Sequence, residues 1–148
     1  AKSSNLTFVA TDISYHALRI AQNNCKRHHL TDRIHLIQSD LFPPTKKKFN
    51  LICANLPYIP SENLASIKVS RYEPNLALNG GKNGTEIIQK MLSQVKEYLL
   101  DKFLILIETQ YNQAEFLAPF IQNLFPQSNI QIISDLQGYP RIVRIESK

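Results

Sequence analysis

Short, nearly continuous apolar runs alternate with segments of helical periodicity along this chain. That alternation restricts its fold more than any single residue does. The runs fall at 6–10, 34–37, 49–54, 103–107, 130–133 and 142–145. Between the first two, Ser14 is a suitable N-cap, and Ala17, Leu18, Ala21 and Cys25 follow at helical spacing. A second helix is predicted over 86–100, with Ile87, Ile88, Met91, Leu92, Val95 and Leu99 on one face. A third is predicted over 113–125, interrupted or bent near Pro119. Strands that are apolar throughout are buried on both faces, so the order of elements predicts an α/β fold with a mainly parallel sheet. Residues 59–83 show no clear period and read as a long loop, which in a compact domain is usually functional.

Length and charge narrow the class. The 148 residues are expected to form one domain, and a 43% hydrophobic content can supply its core. A net charge of +5 suits an acidic or nucleic-acid partner, but Lys and Arg are spread along the chain. The one basic run, Lys46-Lys47-Lys48, reads as a solvated loop. Cys25 and Cys53 lack metal-ligand spacing, so no metal is expected, and both read as reduced core residues of a cytoplasmic protein. No signal peptide or membrane-length apolar span is visible, and neither are repeats or an interdomain linker.

The run at 49–54 ends in Asn55-Leu56-Pro57-Tyr58. Pro57 has no N–H and disfavours the helical region for Leu56, so the chain must leave the strand extended. That exit turns the Asn55 amide and the Leu56 carbonyl toward the carboxyl end of the sheet, where open α/β sheets bind ligands. Two acceptor oxygens there can hold a planar –NH2 group. The competing reading is an ordinary strand exit punctuated by proline. Asp12 and Asp40 stand at the ends of the two preceding runs. A carboxylate at an early strand tip can accept both hydroxyls of a ribose, and a second can accept from an exocyclic amine. Either Asp alone could equally be a turn or N-cap residue. Three such residues at successive strand tips favour the ligand reading.

The chain resembles the catalytic domain of the HemK/PrmC family, S-adenosylmethionine-dependent methyltransferases that modify a glutamine of peptide chain release factors. The matching residues include Thr11-Asp12-Ile13-Ser14, Gln38-Ser39-Asp40-Leu41-Phe42 and Asn55-Leu56-Pro57-Tyr58-Ile59-Pro60. They continue with Tyr72-Glu73-Pro74, Leu76-Ala77-Leu78, Gly80-Gly81, Gly84, Ile107-Glu108, Gln113, Asp135-Leu136, Gly138 and Arg141-Ile142-Val143. The block from Tyr72 to Gly84 is the most specific to the family.

The resemblance implies a class I, Rossmann-like three-layer sandwich with an antiparallel C-terminal strand. It implies that Asp12 holds the cofactor ribose, that Ile13 also contributes to the cofactor site, that Asp40 and Leu41 flank the adenine, and that Asn55 meets both cofactor and substrate. Asn55, Leu56, Pro57 and Tyr58 would form the substrate clamp, with Asn55, Pro57 and Tyr58 at the chemistry. In the implied reaction the amide nitrogen attacks the sulfonium methyl, and the carbon–sulfur bond breaks so that a neutral thioether leaves. The nitrogen's extra proton leaves after the methyl arrives, so no strong general base is needed. An amide nitrogen is a poor nucleophile, so positioning is the main expected contribution, up to roughly 7–11 kcal/mol in ideal geometry. Tyr58 would add an aromatic contact of about 1 kcal/mol near the sulfonium, or simply pack against the loop.

Departures from the family pattern are local except at the start. Leu56 replaces the commoner proline, Asn83 an acidic residue, and Gln110 a glycine. The family's glycine-rich loop after its first strand has no counterpart, since Ala1-Lys2-Ser3-Ser4-Asn5 leads straight into what resembles the second strand. The missing strand is central, so the strands ending at Asp12 and Asn55 are expected to have unpaired inner edges. At about 4.8 Å per strand, the gap between them would be a slot of roughly 10 Å or a rearrangement. The 148 residues then read as a truncated domain with weak cofactor binding and no activity alone. Two other readings stay open: a nucleic-acid amino-methyltransferase, and a non-catalytic interaction domain.

Overall fold

The computed structural model describes residues 6–148, without the side chain of Val69. The expectation for Ala1 to Asn5 lies outside the described residues. The chain divides into two compact units, Ala1–Lys46 and Lys47–Lys148.

In the first unit, β1 (Phe8–Asp12) pairs in parallel with β2 (Ile34–Gln38), Phe8 opposite Ile34 and Asp12 opposite Gln38. The crossover is α1 (Tyr15–Arg27). It starts where the sequence places it: the Ser14 hydroxyl accepts from the Ala17 N–H at 3.3 Å. Lys26 and Arg27 fill its last turn, where positive charge complements the carbonyl end of the helix. Beyond it the Leu30 N–H donates to the Cys25 carbonyl at 2.9 Å. Cys25 is buried, as expected.

The second unit contains β3 (Phe49–Ala54), β4 (Ile59–Pro60), α2 (Asn75–Leu78), β5 (Asn79–Gly81) and α3 (Glu86–Gln94), in that order. β6 (Leu99–Glu108), α4 (Gln113–Leu124), β7 (Asn129–Ser134) and β8 (Pro140–Glu146) complete it. Four strands form one sheet in the order β3-β6-β8-β7. β3 and β6 are parallel, and β8 runs antiparallel to both β6 and β7. This is the mixed α/β sheet with the reversed C-terminal strand that the family resemblance implied.

Register explains the core. Ile52 lies opposite Ile105 and Ala54 opposite Ile107, while Ile105 faces Ile145 and Ile107 faces Val143. These residues share one sheet face, and Ile105, Ile107, Val143 and Ile145 are buried there. Ile88 and Leu92 of α3 and Leu117 and Ile121 of α4 are buried too, and the two helices pack together. The opposite face carries Leu51 and Cys53, opposite Leu104 and Leu106. Leu51 is 44% exposed and Cys53 is exposed, so Cys53 is not the core residue expected of it. A strand alternates its side chains, and here the helices of this unit cover the other side.

Three further expectations change. Residues 59–83 are not one loop: β4 and β5 pair in parallel, with 3-10 turns at Ser61–Ser66 and Lys68–Arg71 between them. The helix expected over 86–100 ends at Gln94, gives way to a 3-10 turn at Val95–Tyr98, and becomes β6 at Leu99. α4 continues through Pro119 without interruption. Among the described residues, β1 has only β2 as a strand partner and β3 only β6. Each therefore has one unpaired edge, as expected of both.

Candidate active site

Two rims carry the residues that the sequence singled out, one in each unit. On the first, Asp12 ends β1 and is exposed, with one carboxylate oxygen accepting from the Ser14 N–H at 2.7 Å. The local turn reading of Asp12 is therefore correct for that oxygen, while the N-cap of α1 is Ser14. Asp40 is exposed two residues past β2, and the Ser39 N–H donates to the Asp12 carbonyl at 3.1 Å, which ties the two tips together. Ile13 presents a half-exposed apolar side chain beside them.

Leu41 adopts φ 68°, a left-handed conformation that a non-glycine residue holds only when its surroundings impose it. The Thr11 hydroxyl donates to its carbonyl at 2.6 Å, and the Ser39 hydroxyl to the Phe42 carbonyl at 2.5 Å. Side chains on β1 and just past β2 thus fix the strained turn that follows Asp40. Strain of this kind gathers where a ligand is gripped.

On the second rim, Asn55 follows β3 directly and is exposed, so its carboxamide points away from the core. Among the described residues, no hydrogen bond engages that carboxamide or the Leu56 carbonyl. Leu56, Pro57 and Tyr58 are half-buried behind it. The Tyr58 hydroxyl donates to Glu108 Oε1 at 3.3 Å. Burial, and then the nearby Glu108 charge, push the Tyr58 phenol above its ordinary value. It therefore stays a neutral donor at neutral pH.

The structure adds groups that the sequence reading left without roles. Glu108 ends β6 beside Tyr58. The signal was there, since Glu108 closes an apolar run just as Asn55 does. Gly80 approaches the clamp so closely that a Cβ would lie 2.8 Å from the Pro57 carbonyl oxygen and 2.7 Å from the Tyr58 Cα. At Gly84 a Cβ would collide with the Tyr58 carbonyl oxygen. Nothing in a linear sequence marks which backbone a glycine will touch. Chemically, the first rim offers acidic acceptors for hydroxyl or amine groups beside an apolar side chain. The second offers a carboxamide and a carbonyl that can together take both hydrogens of an –NH2 group.

Known proteins share this architecture and sequence. The family model described as "Methyltransferase small domain" matches residues 1–72. A bifunctional methyltransferase of Rickettsia typhi is 35% identical over 144 residues, 95% of this chain and 28% of that protein. A release factor glutamine methyltransferase of Staphylococcus aureus is 32% identical over 144 residues, 94% of this chain and 51% of that protein. A Streptococcus mutans structure in complex with SAH superposes with a TM-score of 0.58 at 17% identity, covering 96% of this chain and 76% of the other. The fold is that of the class I S-adenosylmethionine-dependent methyltransferases. Within that class, the chain is similar over nearly its whole length to proteins of the HemK/PrmC family. It spans about half the length, or less, of these two sequence relatives.

Proposed function

We propose that this chain belongs to a methyltransferase that transfers a methyl group from S-adenosylmethionine to the side-chain amide nitrogen of a protein glutamine, in a peptide chain release factor. The observation that carries this reading is the exposed, uncommitted Asn55 carboxamide at the tip of β3, beside a Leu56 carbonyl with no partner among the described residues. Residues 1–148 together serve one catalytic domain in this reading.

The first rim suits a nucleoside. Asp12 keeps one oxygen for a ribose hydroxyl while Ser14 holds the other, Ile13 offers an apolar contact, and Asp40 with Leu41 flanks an adenine. When bound, S-adenosylmethionine supplies a methyl carbon made electrophilic by its sulfonium. The chain's own residues orient the nitrogen. Asn55 Oδ1 and the Leu56 carbonyl accept its two hydrogens, which aims the lone pair and keeps electron density on nitrogen. Pro57 holds the exit extended, and Tyr58, anchored to Glu108, walls the site. Positioning of this kind supplies the larger share of the rate.

Relatives named as glutamine methyltransferases, for release factors and for ribosomal protein uL3, support the choice of acceptor. A release-factor substrate would place the protein in the cytoplasm; among the described residues no helix is long and apolar enough to cross a membrane. The test offers methyl-labelled S-adenosylmethionine and the longest natural form of this protein to a release factor, to DNA and to RNA. Label is expected on a release-factor glutamine, and Asn55→Ala should lower kcat roughly 10²- to 10³-fold. Label on a nucleobase amine would instead assign a nucleic-acid methyltransferase, and no label anywhere would leave a non-catalytic domain.

A further inference from the structure

Gln113 is the first residue of α4 and is 6% exposed. Its carboxamide joins three separate segments of the second unit. Nε2 donates to the Tyr58 carbonyl at 2.7 Å and to the Gly84 carbonyl at 3.2 Å. Oε1 accepts from the Gln110 N–H at 2.9 Å. Two carbonyls on one end and an N–H on the other fix the orientation of the amide, because a flipped carboxamide would oppose like groups at all three contacts.

This arrangement holds the backbone just behind the groups that can meet an incoming amide. Gly80 lies against the Pro57 carbonyl, and Gln113 occupies the Tyr58 carbonyl. The Leu56 carbonyl has no hydrogen-bond partner among the described residues. The peptide plane after Tyr58 is held by Gln113, and Pro57 restricts φ within the same exit. We propose that Gln113 is a positioning residue: it fixes the back of the Asn55-Leu56-Pro57-Tyr58 segment so that Asn55 and the Leu56 carbonyl keep the spacing an amide –NH2 needs. The inference rests on the methyl-transfer reading above and deepens it by naming what sets the clamp's aim.

Gln113→Met keeps the side-chain length and fills the same volume without donors, whereas Gln113→Glu keeps the shape and sets carboxylate oxygens against two carbonyls. Both are made in the longest natural form of the protein and compared with the parent below their melting temperatures. Expected for Gln113→Met is a fall in kcat of roughly 10- to 100-fold, because sub-ångström misplacement of reacting groups is that costly. The dissociation constant for S-adenosylmethionine should change less than kcat does, since Asp12 and Asp40 are untouched and only Asn55 among the expected cofactor contacts is displaced. Backbone hydrogen exchange should quicken at 55–60 but not in β6. A Gln113→Met protein that melts earlier yet keeps the parent's kcat and its exchange at 55–60 would reduce Gln113 to a packing residue and overturn the proposal. If Gln113→Glu fails to fold, Gln113→Met alone decides. A parent that methylates no acceptor would refute the methyl-transfer reading, while exchange at 55–60 still reports whether Gln113 holds the segment.

Discussion

Glu86 opens α3, and its carboxylate accepts from the Asn83 N–H at 2.9 and 3.2 Å, from Asn83 Nδ2 at 3.1 Å and from the Thr85 N–H at 3.0 Å. Burial by itself would raise its pKa, but these donors, with the Glu86 N–H, outweigh it and hold the carboxyl below the ordinary glutamate range. A carboxyl depressed in the folded state stabilises above its unfolded value, near pH 4.3, and that contribution fades as pH falls through the folded value. The wild-type urea midpoint should therefore decline from about pH 5 downward. Glu86→Gln should weaken the protein at pH 7 by about 1 kcal/mol, the typical worth of a helix-start cap, and flatten the decline below pH 5. An unchanged acid slope in that variant would exclude Glu86 as a source of it. The identity of this residue as a helix opener was legible, since it follows Thr85 before an apolar period. Its reach back to Asn83 was not, because that depends on the turn's three-dimensional path.

Among the elements, the turn between β5 and α3 is the one whose role in the site emerged only on folding. Gly84 has φ 76° and is buried, with the Tyr58 carbonyl, the Gln113 amide and the Pro60 ring against the position a Cβ would take. Gly138 has φ 86° but nothing within 4 Å of that position. The pair separates backbone strain from crowding. Gly138→Ala should cost about 1–2 kcal/mol, the strain of a left-handed alanine, whereas Gly84→Ala adds overpacking and should cost about 3 kcal/mol or more. Denaturant unfolding of the two variants checks the ordering, and equal losses would show that the Tyr58 segment gives way freely. Element ends show the same division. β3 begins and ends where its apolar run does, because Asn55 and Pro57 stop it. The end of α3 was hidden, since Val95 and Leu99 continue the helical apolar period and are buried anyway. Leu99 leaves the helix to pair with Phe49, a partner fifty residues away that no local pattern announces.

At the scale of the whole molecule, the buried apolar core is distributed unevenly. Every buried hydrophobic side chain among the described residues lies in Lys47–Lys148 except Cys25 and Pro43. The first unit has one helix on a two-stranded sheet, below what normally folds alone in water. Expressed separately, residues 47–148 should unfold cooperatively on heating, and Ile107→Ala within them should cost about 2–5 kcal/mol. Residues 1–46 should give the circular dichroism of a largely unstructured chain. A cooperative transition in the short piece would show that it holds a core of its own.

The sequence by itself determined the α/β class, four of the strand positions that matter to the site, the cap of α1, and the polar residues at the strand tips. These follow from local chemistry: side-chain period, the missing N–H of proline, and the hydrogen-bonding habits of Ser, Asp and Asn. Tertiary structure alone decided that Cys53 lies on an exposed face, that 59–83 is tied together by β4 and β5, and that Glu108 and Gln113 stand behind Tyr58. Each of those depends on contacts between segments 20 to 55 residues apart, where burial and hydrogen bonding override what either segment would do alone.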